Sequence, residues 1–152
     1  MQRKDHKQKN SSIDGSRLRV GVVVSEYNAD ITEPMLVGAM ETLHACKVRP
    51  DRIHILRVPG SFEVPLGCLT LIKKKCNAVV ALGCVIKGET SHDVYIATAV
   101  SQGIMDLSLR YGVPIGFGIL TPNNLAQAKA RATGKTNKGK EAALVAVRMA
   151  LL

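Results

Sequence analysis

The chain has 152 residues, 46% of them hydrophobic and 22% charged, with a mean hydropathy of +0.09. That is enough for one domain with a real core, too short for two ordinary domains, and outside the disordered and collagen-like ranges. Of the net charge of +9, the surplus sits in residues 1–19 and 129–148, while residues 20–128 balance acid against base; the second cluster suits a small phosphate ester as well as a nucleic-acid backbone, and the few aromatics give no base-stacking platform.

Residues 1–19 carry six basic and two acidic side chains and read as a basic, flexible tail able to add an edge strand, leaving residues 20–152 as the domain. The start lacks an apolar secretion segment, and no apolar run reaches the roughly 20 residues of a membrane span, so a cytoplasmic setting is expected. Cys46, Cys68, Cys76 and Cys84 contain no C-x-x-C pair, so buried neutral thiols are expected rather than disulfides or a zinc site.

From residue 20 onward, β-branched runs alternate with helix-period segments, the pattern of a four-stranded parallel sheet covered on both faces: a three-layer α/β/α sandwich. Residues 20–25 are the first strand. Thr32 then caps a helix with Pro34 in its first turn and an apolar stripe of Met35, Leu36, Ala39, Met40 and Leu43. Residues 53–58 are the second strand, turning through Pro59-Gly60-Ser61 into a helix near 63–75. Residues 77–86 are a central strand, followed by a helix over 92–111. Residues 113–120 are the fourth strand, Thr121-Pro122 opens a helix to about 132, and residues 140–152 form the last helix.

Such a sheet places its site at the carboxyl ends of the strands, in loops 25–31, 59–63, 84–92 and 117–122. Neither G-x-G-x-x-G nor G-x-x-x-x-G-K-[ST] occurs, so dinucleotide and nucleoside-triphosphate versions of the fold lose support. His6, His44 and His54 have tail, helix-end and strand positions. His92, beside Thr90, Ser91 and Asp93 where a strand gives way to a helix, can transfer protons near neutral pH. The competing reading is a solvated His92 next to a Ser91 or Thr90 helix cap. Residues 87–91 ahead of that helix suit an anion, and also suit a plain turn. Arg131 can add a charge-assisted hydrogen bond or be an exposed helix arginine. Tyr27 and Phe62, near strand ends in a chain with five phenylalanines and tyrosines and no tryptophan, can stack on a flat heterocycle or fill the core.

Together these segments resemble the 6,7-dimethyl-8-ribityllumazine synthase family of riboflavin biosynthesis, over about residues 20–151. The carriers are Tyr27-Asn28 with Ile31-Thr32-Glu33, the Pro-Gly-Ser-Phe-Glu run 59–63 with Val64-Pro65, the segment 81–92, Val113-Pro114 with Phe117-Gly118 and Leu120-Thr121, and Asn137-Lys138-Gly139. The resemblance implies a flavodoxin-like fold and a transferase. The reaction is a cofactor-free condensation of 5-amino-6-ribitylamino-2,4(1H,3H)-pyrimidinedione with 3,4-dihydroxy-2-butanone 4-phosphate, with release of phosphate and water. It implies His92 as the proton-transfer residue, and Tyr27, Asn28, Ser61, Phe62, Glu63, Val85, Ile86, Phe117 and Lys138 as substrate-binding positions, Phe117 reaching in from a neighbouring subunit. Glu89, Thr90 and Arg131 match phosphate-binding positions, and Glu141 lies near the site. The resemblance also implies a pentamer, which some members close into a hollow shell of twelve pentamers. Three departures stand out: Asp93-Val94 replaces an aromatic followed by an acid, Tyr27 stands where Phe or Trp is frequent, and the stretch 131–139 is about one residue short, which favours shell closure. Three rival readings are a non-catalytic shell-forming protein of the same fold, a nucleic-acid-binding module motivated by the charge, and a flavin-binding flavodoxin-like protein.

Overall fold

The computed structural model describes residues 13–152. Four parallel strands, β1 (Val20–Ser25), β2 (Ile53–Val58), β3 (Ala78–Cys84) and β4 (Ile115–Leu120), form one sheet in the order β2-β1-β3-β4. Every residue of β1 and β3 is buried, as two central strands covered on both faces require; β2 and β4 are the half-exposed edges.

Alternation along the strands sorts two cores. Val20, Val22 and Val24 with Ala78, Val80 and Leu82 pack under α1 (Ala29–Ala45), α4 (Leu125–Ala132) and α5 (Lys138–Ala150). Val23, Val79, Ala81 and Ile119 pack under α2 (Val64–Lys73) and α3 (His92–Tyr111). The expected three-layer architecture is therefore the one observed. Gly116 lets α5 approach β4 until a Cβ there would collide with the Ala142 carbonyl, and Gly139 lets α5 approach the Met35 carbonyl of α1 in the same way.

Four boundaries differ from the sequence reading. Thr32 is not the cap of the first helix: α1 begins at Ala29 because Asn28 adopts the left-handed conformation (φ 60°, ψ 45°), which asparagine tolerates. The Asn28 carbonyl then accepts from the N–H groups of Ile31 and Thr32 at 2.9 and 3.0 Å. The buried Thr32 hydroxyl instead donates to the Ser25 carbonyl at 2.7 Å. A 3-10 turn over Ser61–Glu63 precedes α2. Thr121-Pro122 does not open a helix. It prolongs the β3–β4 pairing, with Val85 N–H on Leu120 O at 2.8 Å and Lys87 N–H on Pro122 O at 3.0 Å. Asn124 caps α4 by accepting from Gln127 N–H at 2.9 Å, and Gln127 Oε1 accepts from Asn123 N–H at 2.8 Å. The last helix starts at Lys138 because the Asn137 side chain caps it.

Packing reaches upstream of Val20: Gly15 N–H donates to Cys46 O at 2.7 Å and Leu18 is buried. Residues 13–19 form a turn without a strand; the remainder of the basic tail, with any edge strand it adds, lies outside the described residues. Among the described residues no helix is long and apolar enough to cross a membrane, no group of three or more histidine, cysteine or acidic residues is placed to hold a metal ion, and all four cysteines are free and buried.

Candidate active site

Three strand ends converge where the strand order reverses, between β1 and β3. Beyond β1 the ladder continues with Glu26 N–H on Val58 O at 2.8 Å and Tyr27 N–H on Pro59 O at 3.0 Å, so Tyr27 is held beside the turn carrying Ser61, Phe62 and Glu63. Asn28 bridges to the third strand end, its Nδ2 donating to the Cys84 carbonyl at 3.0 Å. The left-handed backbone and this bond make Asn28 the clamp of the crevice.

The crevice is a cavity of about 730 Å³ lined by Tyr27, Asn28, Ser61, Phe62, Glu63, Val85, Ile86, Thr90 and His92, with Gly60, Cys84, Gly88, Asp93, Tyr95 and Ile96. Nine of the sequence-expected site residues thus share one space. Tyr27 is 72% exposed and Phe62 60% exposed, which removes the core-filling alternative and leaves two rings available to a flat ligand. The lining contains no lysine or arginine; its ionisable side chains are Glu63, His92, Asp93, Cys84, Tyr27 and Tyr95. Burial, then the charge of Asp30, pushes the Cys84 thiol up to about 11, so it is a neutral group near pH 7 and no nucleophile.

His92 is the first residue of α3 and is exposed to the cavity. Ser91 makes no side-chain cap; instead Thr90 Oγ1 accepts from the His92 backbone N–H at 3.4 Å. That bond engages only the backbone; the imidazole itself has no hydrogen-bond partner among the described residues and faces the cavity. At the first turn of a 20-residue helix, the backbone dipole also favours negative charge developing there.

A second cavity, of about 440 Å³, opens on the β4 flank and is lined by Phe117, Arg131 and Lys138 with Thr121, Asn123, Gln127 and Glu141, among others. Arg131 donates from Nη1 to the Gln127 carbonyl at 3.1 Å, and Lys138 Nζ pairs with Glu141 at 2.6 Å. The sequence-expected site is therefore divided within one chain: ring-binding and proton-transfer groups in the crevice, cations and Phe117 at the sheet edge. Glu89 lines neither cavity. Asp93, Tyr95 and Ile96 also line the crevice; the sequence signal for Tyr95 and Ile96 is their spacing three and four residues beyond His92 on α3, which turns them toward the same side, whereas Asp93 flanks that face.

The model of the 6,7-dimethyl-8-ribityllumazine synthase family matches residues 17–152. A protein of that name from Parabacteroides distasonis is 45% identical over 142 residues, covering 92% of this chain and 89% of its own length. One from Cytophaga hutchinsonii is 47% identical over 131 residues, covering 85% and 82%. One from Pyrococcus furiosus is 43% identical over 138 residues, covering 91% and 87%. On a match that runs from the turn before β1 through α5, the chain belongs to the 6,7-dimethyl-8-ribityllumazine synthase family.

Proposed function

We propose that this chain condenses 5-amino-6-ribitylamino-2,4(1H,3H)-pyrimidinedione with 3,4-dihydroxy-2-butanone 4-phosphate to 6,7-dimethyl-8-ribityllumazine, releasing phosphate and water. The observation that carries the reading is the crevice, which gathers three exposed aromatic rings, those of Tyr27, Phe62 and Tyr95, and a histidine without a side-chain partner among the described residues inside one space of the family's fold. The pyrimidine ring lies against Tyr27 and Phe62, with Val85 and Ile86 as its apolar walls. Glu63 accepts hydrogen bonds from the ribityl hydroxyls, and the backbones of Asn28 and Ser61 bond the ring edge. The pyrimidine amine attacks the ketone, and loss of water gives an imine; phosphate is then eliminated, and ring closure with dehydration completes the lumazine. His92 moves protons in these steps, all of which need proton transfer and none a redox change.

The crevice holds no lysine or arginine to balance a phosphate, so the anion is assigned to Arg131 and Lys138 together with the Thr90 hydroxyl and the N-terminal end of α3; Glu89 can help only through its backbone N–H. A neighbouring subunit would bring its own Phe117, Arg131 and Lys138 against this crevice, which supports a pentamer with sites between subunits; the short 131–139 linker supports closure into a sixty-subunit shell. Light scattering at physiological ionic strength tests that assembly, and a particle no larger than a pentamer contradicts the shell. The reaction itself is tested by stoichiometry. Phosphate and lumazine are expected in equal amounts, and enzyme-dependent phosphate release without the pyrimidinedione contradicts the condensation.

A further inference from the structure

Asn137 lies in the connection between α4 and α5, is only 6% exposed, and uses both ends of its amide. Nδ2 donates to the carbonyls of Pro34 at 3.0 Å and Ala132 at 2.8 Å. Oδ1 accepts from the N–H groups of Gly139 at 2.8 Å and Lys140 at 3.4 Å. One side chain therefore joins the end of α4, the start of α5 and the body of α1. Arg131 immediately precedes Ala132, and Lys138 immediately follows Asn137; both line the cavity on the β4 flank. The hydrogen bonds of Arg131 to the Gln127 carbonyl and of Lys138 to Glu141 are each local to one helix. The Thr136 hydroxyl braces the connection only onto the end of α4, at Ala130 O and Thr133 O. The separation of the two cations is thus set by how α4 and α5 are joined, and the side chain that reaches both is Asn137.

We propose that Asn137 is a positioning residue for the anion site, holding Arg131 and Lys138 at the separation at which both engage one phosphate. This rests on the assignment of those cations to the phosphorylated substrate made above. The packing gives a second handle on the same amide: a Cβ on Gly38 of α1 would stand 2.5 Å from Asn137 Nδ2 and 2.7 Å from its Cγ. Gly38→Ala therefore displaces the amide without changing its chemistry, from a helix that lines neither cavity at that residue.

The test is steady-state kinetics of the full chain carrying Asn137→Asp, Gly38→Ala or Arg131→Ala, with inorganic phosphate as inhibitor. Asn137→Asp keeps the oxygen that caps α5 and loses both donors. Arg131→Ala is expected to raise the KM for the butanone phosphate about tenfold, the loss of one charge-assisted hydrogen bond. Asn137→Asp and Gly38→Ala are expected to raise the same KM about fivefold and weaken inhibition by phosphate in parallel, with kcat and the KM for the pyrimidinedione changed less than about twofold. Folded variants with an unchanged KM for the butanone phosphate, whatever their melting temperature, overturn the proposal while leaving the anion assignment intact. An unchanged KM in Arg131→Ala overturns that assignment instead. Where Asn137→Asp does not fold, Gly38→Ala decides.

Discussion

His92 and Arg131 are asked to do different things, and their substitution should separate along kinetic lines. A proton-transfer group acts in the transition state, so His92→Ala should lower kcat roughly 10²-fold, the low end for a general acid or base, with little change in either KM. A binding cation acts in the ground state too, so Arg131→Ala should raise the KM of the phosphorylated substrate and spare that of the pyrimidinedione. Steady-state kinetics in both substrates checks the pair; equal loss of kcat in both variants would contradict the division of labour. At this scale the sequence was legible where chemistry and position coincide: a histidine at a strand-to-helix junction and aromatics at strand ends. It was illegible where one side chain serves the backbone. Asn28 acts through a left-handed φ and a bond to Cys84 O, and Thr32 serves Ser25 rather than its own helix; both depend on which strand lies alongside.

The strands are legible in the sequence to within about two residues, most clearly β1 and β3, which are buried on both faces and are unbroken apolar runs. Helix starts are less legible. Thr32 and Thr121-Pro122 carry the composition of a helix opening, but tertiary hydrogen bonds take them: Pro122 O is held by Lys87 N–H, and α4 waits for the Asn124–Gln127 pair. The contact of α5 with β4 was equally hidden, since it depends on the backbone of Gly116 meeting Ala142. Gly116→Ala should therefore destabilise the protein by about 1–3 kcal/mol, as overpacking does, measured by denaturant midpoint. Because α5 carries Lys138 and Glu141, the same variant should also weaken phosphate inhibition; unchanged stability would mean that the helix moves away freely.

For the whole molecule, the four buried thiols set an alkaline limit. Burial pushes Cys68 up to about 12 and Cys84 up to about 11, and raises Cys46 and Cys76 from the ordinary value of 9.0. The folded state therefore holds these protons more tightly than the unfolded chain. Their stabilisation is complete below pH 9.0 and is lost as pH rises through the folded values. Denaturant midpoints should fall between about pH 9 and 12, and Cys68→Ala should flatten that fall; a midpoint independent of alkaline pH would contradict it. The division of the expected site between two cavities also belongs to this scale. The sequence named the residues of both without showing that one chain keeps them apart, because the gap depends on β4 standing one strand beyond the crevice.

The central claim is that this crevice catalyses the condensation rather than merely preserving the family's fold. Mixing the purified protein with the pyrimidinedione and the butanone phosphate, and following lumazine absorbance against the spontaneous reaction, tests it most directly. The account predicts protein-dependent product that falls sharply in His92→Ala at unchanged particle size. Background-level product from a folded, assembled wild-type protein would contradict it, and would make Asp93-Val94, at the start of α3 beside His92, the first place to look for the loss.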